Sequence, residues 1–318
     1  MIRTGRMSPL LALTCAVALP TACQRNQPVE GAGKSMEATV SDFAREEQAW
    51  RDTRRSDLLA PEGWTSLVGL HWLDPGAHYV GSNADNGIQL SMGPGHLGMI
   101  EIEGARVRLV PDKAAHLTLD GKPLETAVTL RADTDPLGPS VIGFDGGKGH
   151  AMVIVRNDRH ALRVKHVEAP TRVNFTGIDY WPADTDWKIK GRFIAHPQGR
   201  TIEVANIIGG MDAMANPGVV EFQQGGRTHR IEALDEGEGV LFLVFADRTN
   251  GHGSYGAGRF LDAPMPDANG NVTLDFNQAR NPPCAFTAFA TCPLPPPENR
   301  LDLAITAGEK AYHKPTGS

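Results

Sequence analysis

Residues 219–246 read VVEFQQGGRTHRIEALDEGEGVLFLVFA. Three short apolar or alternating runs, Val219–Gln223, Arg230–Leu234 and Val240–Ala246, are separated by Gly225-Gly226 and by Asp235–Gly239. Runs of this length, bounded by Gly and Asp, spell strands joined by tight turns. The gaps leave no room for the crossover helices that parallel strands need. The same grammar recurs upstream in Met99–Glu103, Ala105–Val110, His116–Leu119, Ala127–Leu130, Ala151–Arg156, Leu162–Val167, Trp187–Ile194 and Thr201–Ile207. Turn signals stand at Glu103-Gly104, Asp120-Gly121, Asn157-Asp158 and Gln198-Gly199. The pattern predicts a mainly β fold, an antiparallel sandwich or partly closed barrel. Thirty-five Gly and 23 Pro in 318 residues suit many turns better than long helices.

One helix is expected, from about Thr39 to Leu59, where Gly and Pro are absent and Pro61 follows as a stop. Val40, Phe43, Glu47 and Trp50 fall three to four apart, Ser41 is a possible N-cap, and Arg45, Glu46, Arg51, Arg54 and Arg55 make the solvated face. With no later linker in view, residues 37–312 read as a single domain with a tail at 313–318. A split near Pro170–Asp186 is the alternative.

The N-terminus reads as an address. Arg3 and Arg6 precede the apolar Leu10–Leu19, which is too short to span a bilayer, and small residues follow at Thr21, Ala22 and Cys23. The Ala22-Cys23 junction resembles a bacterial lipoprotein box, although Pro20 stands where Leu is usual. The reading is a signal peptide over 1–22, lipidation of Cys23 and a flexible polar tether over 23–36. Plain signal cleavage is the alternative. Membrane lipid is thus the first expected partner. Gln24 after the Cys resembles the residue that directs lipoproteins to the outer membrane, facing the periplasm. Removing residues 1–22 takes the formal charge from −6 to −8. That balance, with basic residues scattered among acids, gives no nucleic-acid field. No run of about 18 apolar residues marks a membrane-spanning helix.

The most distinctive stretch lies near the C-terminus. It contains DRTNGHGSYGAGRF from Asp247, LDFN from Leu274, NPPCAFT from Asn281, CPLPP from Cys292, ENRL from Glu298 and AGEK from Ala307. In that order these pieces resemble the domain-of-unknown-function 1684 family, and Gly63-Trp64 with Leu70–Leu73 and Gly76 resembles its entry motif. The resemblance then covers about Trp64 to Lys310 and implies no activity.

The residues of this stretch carry their own chemistry. After export, Cys284 and Cys292 are an even pair eight residues apart in an oxidising compartment, which suggests a disulfide. Two buried free thiols or half of a metal site are the alternatives. No metal is expected, because no further ligand pair accompanies them. Gly251–Gly256 spells G-x-G-x-x-G, but Gly258 and Pro264 leave no room for the helix a dinucleotide needs, so no cofactor is expected. Ser254 lacks the setting of a nucleophile elbow. His160 and His166 share one strand face with Arg163 opposite, and Arg156, Asp158, Arg159 and Arg163 read as a solvated patch. Trp64 and Trp72 read as plugs for a core end.

The remaining polar set is Asp247, Thr249, Tyr255, Arg259, Asp275, Asn277, Asn281 and Arg300. Arg259 is expected to point inward beside Leu261 and to pair with Asp247 or Asp275. Alternatively, the eight converge on a pocket for a small-molecule or polymeric envelope ligand, with Arg and Asn clamping a carboxylate or phosphate. Three functions follow: a non-catalytic ligand-binding β domain anchored in the envelope, a hydrolase-like enzyme using Asp247, Tyr255, Arg259 and Asp275, or a structural envelope protein.

Overall fold

The computed structural model describes residues 30–314. The leader, Cys23 and the first part of the tether lie outside the described residues. Helix α1 (Glu30–Leu59) starts well before Thr39, inside the stretch read as tether. Only Gly31 and Gly33 oppose helix there, at about 1 kcal/mol each relative to Ala, among good helix formers. Ser41 therefore lies within the helix and does not cap it.

The strands expected from the turn grammar all form. The first half contains β1 (Leu67–Trp72), β2 (Gly76–Gly81), β3 (Ile88–Gln89), β4 (Gly98–Glu103), β5 (Arg106–Pro111), β6 (Thr118–Leu119), β7 (Lys122–Pro123), β8 (Val128–Leu130), β9 (Ile142–Phe144), β10 (Gly149–Arg156) and β11 (Arg159–His166). After the one-turn α2 (Pro170–Val173) come β12 (Lys188–Ala195), β13 (Thr201–Ala205), β14 (Met211–Gln224), β15 (Arg227–Asp235), β16 (Val240–Phe245), β17 (Arg259–Pro264) and β18 (Asn271–Asp275). Asn157 and Asp158 take φ of 50° and 58° between β10 and β11, and Gly225 and Gly226 take 60° and 72° between β14 and β15. Such left-handed pairs match the twist of two-residue hairpins.

Two β layers fill the first half. A six-stranded sheet runs β1-β11-β10-β9-β6-β7, and a five-stranded sheet runs β3-β2-β4-β5-β8. Among the described strand pairs only β2–β3 is parallel. Val80, Ile100 and Leu109 from one sheet meet Ile142, Val153, Leu162 and Val164 from the other in one core. The second half is a seven-stranded sheet, β17-β16-β15-β14-β12-β18 with β13 on β14, curled into a nearly closed barrel. Backbone bonds between Phe260 and Arg280 (2.8 and 2.9 Å) draw β17 toward the chain leaving β18. Ile231, Leu243, Phe245, Leu261, Leu274 and Phe276 fill its interior.

The first core ends at Ala169 and the second begins at Trp187, so the stretch Pro170–Asp186 separates two cores. The described residues from Phe43 onward nonetheless form one compact unit. Arg172 of α2 donates to Leu59 O at the end of α1 at 2.8 Å, and Thr287 Oγ1 donates across the halves to Leu67 O at 3.4 Å.

Candidate functional site

Arg259 opens β17 and is wholly buried. Leu261, its neighbour on the same face, belongs to the barrel core, so the guanidinium enters the barrel end. It pairs with Asp247 and donates to Ile305 O at 2.9 Å and to Ala307 O. Asp247 is fixed in turn by Thr249, whose N–H and hydroxyl both donate to Oδ1 at 2.5 Å. The Arg259 side chain also lies over the Phe245 ring at 5.3 Å. Burial pulls the Arg259 pKa below its usual value, and the Asp247 charge opposes that shift.

Of the other sequence candidates, Arg300 lines one cavity with Asp247, and the rest make contacts of their own. Asp275 Oδ1 accepts from Asn277 N and Nδ2, at 3.2 and 2.9 Å, and Asp275 faces Lys188 at 3.6 Å. Asn277 also bridges to Asp184, accepting from its N–H and donating to its carbonyl at 2.9 Å. Asn281 donates from Nδ2 to Lys310 O at 2.7 Å, and its N–H donates to the buried Glu309 at 2.6 Å. Arg300 is exposed. Tyr255 lies beside Cys284. The eight thus form separate networks, and Asp247, Tyr255, Arg259 and Asp275 share one ion pair, Arg259–Asp247.

Cys284 and Cys292 are adjacent free thiols in the structure. Cys284 N donates to Cys292 Sγ at 3.1 Å. Hydrogen bonds from Cys292 and Tyr255 favour the Cys284 thiolate, while the same contact and burial push Cys292 up. Burial and the neighbouring Cys284 charge raise Tyr255.

A second site lies between the two halves, and of the eight sequence candidates Asn281 lines it. A cavity of about 550 Å³ is lined from the first half by Trp64, Arg156 and Arg163, and from the second by Met214, Phe242 and Thr291 among others. β11 explains Arg163: Leu162 and Val164 point into the first core, so Arg163 takes the opposite face, toward the second half. It is only 9% exposed, so it is not part of a solvated patch. Its Nη2 reaches Thr291 Oγ1 at 3.4 Å, its Nε has no hydrogen-bond partner, and among the described residues no carboxylate pairs with it. Arg156 also donates to Thr291 Oγ1, at 3.3 Å, while pairing with Asp133 at 2.7 Å. Burial, followed by the Arg156 charge, lowers the Arg163 pKa to about 10, which leaves it cationic at neutral pH.

Two more guanidiniums reach the wall, each already paired: Arg54 with Glu309 at 2.8 Å and Arg280 with Asp262 at 2.8 Å. Arg54 and Arg51 are half-buried, so this edge of α1 is not a solvated face. Trp64 is 36% exposed and plugs no core; its ring lies 5.6 Å from the Arg163 guanidinium. The sequence signal for this site was the charge of Arg163 inside the apolar run of β11. The loop 251–258 is built of turns and leads straight into β17, without a helix.

A family model described as a protein of unknown function, DUF1684, matches residues 173–310. The Trp64 motif lies outside that match. An uncharacterised protein of Haloarcula marismortui, solved in solution by NMR, is 30% identical over a match covering 44% of this chain and 78% of that one, with a TM-score of 0.37. No curated protein matches. The matched region holds the whole signature from Asp247 to Lys310 with its buried Asp247–Arg259 pair, and the chain belongs to the DUF1684 family.

Proposed function

We propose that this chain is an exported, lipid-anchored β domain that binds a small anion without transforming it. The observation that supports binding is Arg163, a buried cation with an unpaired Nε on the wall of a cavity. Burying a charge without a counter-charge is costly, and an incoming anion supplies that counter-charge. Thr291, shared by Arg156 and Arg163, offers a hydroxyl to the same ligand. Cavities of this size between two packed units suit small molecules. Isothermal titration of the purified protein with acetate, benzoate and phosphate tests the reading. Binding of at least one of them, weakened at least tenfold by Arg163→Met, supports it, and no binding of any rejects it.

Anchoring rests on the lipobox-like junction at Cys23. Mass spectrometry of membrane-derived protein is expected to show an acylated N-terminus there, and Cys23→Ser to release the protein from the membrane fraction. A soluble product that begins elsewhere rejects the anchor. In the exported protein the adjacent Cys284 and Cys292 form a bridge, by loss of two protons and two electrons to a disulfide oxidant. Non-reducing peptide mapping decides this: two alkylatable thiols in oxidised material reject the bridge.

A further inference from the structure

The cavity wall is chemically mixed. Arg156, Arg163 and Thr291 are polar, and Trp64, Met214 and Pro283 present partly exposed apolar surface beside the buried Phe242 and Phe260. An inorganic anion would use only the polar groups. The apolar surface would stay in contact with water, although covering it is favourable.

Charge bookkeeping narrows the ligand further. Of the four lining arginines, Arg54, Arg156 and Arg280 already face Glu309, Asp133 and Asp262. Among these lining arginines, Arg163 is the one without a carboxylate partner. Two carboxyl groups, Asp212 and Glu236, also line the cavity. Asp212 is engaged by Asn206 Nδ2 at 2.8 Å, and burial together with the Asp262 charge raises the Glu236 pKa. Any anion meets these two acidic neighbours, and each further negative charge adds repulsion from them with no second unpaired arginine to answer it. A monoanion, whose one charge Arg163 can pair, is therefore favoured over a dianion.

We propose that the ligand is a monoanionic organic carboxylate with an apolar body, an aromatic or short acyl acid. Its carboxylate meets Arg163 and Thr291, and its body covers Trp64, Met214 and Pro283. The proposal rests on the anion-binding reading above and names the class of anion.

Isothermal titration at pH 7 compares benzoate and hexanoate with acetate and inorganic phosphate. Benzoate or hexanoate is expected to bind at least tenfold tighter than acetate, which corresponds to covering about 60 Å² of apolar surface. Phosphate is expected to bind no tighter than acetate. Met214→Ser should weaken benzoate binding and leave acetate unchanged, and Arg163→Met should weaken both. Should Arg163→Met fail to fold, Thr291→Val keeps the charge and is expected to lower benzoate affinity severalfold. Equal binding of acetate and benzoate, or tightest binding of phosphate, overturns the organic-acid class and leaves anion binding standing. No binding of any of the four anions overturns both readings.

Discussion

Arg259 shows what one buried guanidinium demands. It cannot shed its proton, so Asp247 and the carbonyls of Ile305 and Ala307 must answer it. Arg259→Met leaves Asp247 buried without its cation, and a loss of about 3–5 kcal/mol is expected in urea denaturation. An unchanged midpoint would remove the pair from the stability of the fold. The preceding Gly258 sits at φ +105°, and a Cβ there would stand 2.4 Å from Pro295 Cγ and 2.8 Å from Phe245 O. Gly258→Ala is therefore expected to destabilise by about 1–3 kcal/mol, through strain and overlap together. The burial of Arg259 was legible, because strand alternation puts it beside Leu261. Which Asp would answer it was not, since Asp247 and Asp275 both lie near strand ends. Arg163 was misread because polar alternation looks the same whether the outer face meets water or a second β unit.

At the scale of elements, the strands were readable from turns and alternation, and β14 shows where that reading stopped. Its first half, Met211–Pro217, lacks β-branched residues, yet pairs along β13 and continues past a bulge between Ala215 and Gly218. Partner strands supply what local propensity withholds. Helix α1 shows a similar override. Phe43, Glu47 and Leu58 are buried on it, and Glu47 is the odd member. Its Oε1 accepts from Gln278 at 3.2 Å while Oε2 has no partner, and Asp275 adds negative charge nearby. Burial, then Asp275, raises the Glu47 pKa above its ordinary value of 4.5. The folded state thus holds this proton more tightly than the unfolded one. The penalty is absent below the ordinary pKa, grows as pH rises through the raised value and stays constant above it. Glu47→Gln keeps an acceptor for Gln278 and removes the charge. It is expected to be more stable than wild type at pH 7 and no more stable at pH 3, as measured by urea denaturation at both values. A variant less stable at pH 7 would show that the Glu47 charge is compensated.

The whole molecule joins two β cores, one of sandwiched sheets ending at Ala169 and one barrel-like beginning at Trp187. A change of core along the chain was visible as the Pro170–Asp186 stretch, but the seam between the cores was not. Its residues come from β10, β11, the loop after α1 and the Pro-rich segment around Cys292, which are far apart in sequence. A ligand in that seam touches both halves, so its binding energy enters the stability of the unit as a whole. Binding to the folded state alone adds RT ln(1 + [L]/Kd), about 2.7 kcal/mol at a ligand concentration one hundred times Kd. For a unit of this size, that corresponds to a rise of roughly 5 °C in the melting temperature. Scanning calorimetry of the protein saturated with benzoate is expected to show a rise of that order in wild type and none in Arg163→Met. The rise should move the whole heat-absorption envelope, because Trp64, Arg156 and Arg163 come from the first half and Phe242 and Thr291 from the second. If only part of the envelope moves, the ligand rests on one half, and the cavity at the seam is not its site.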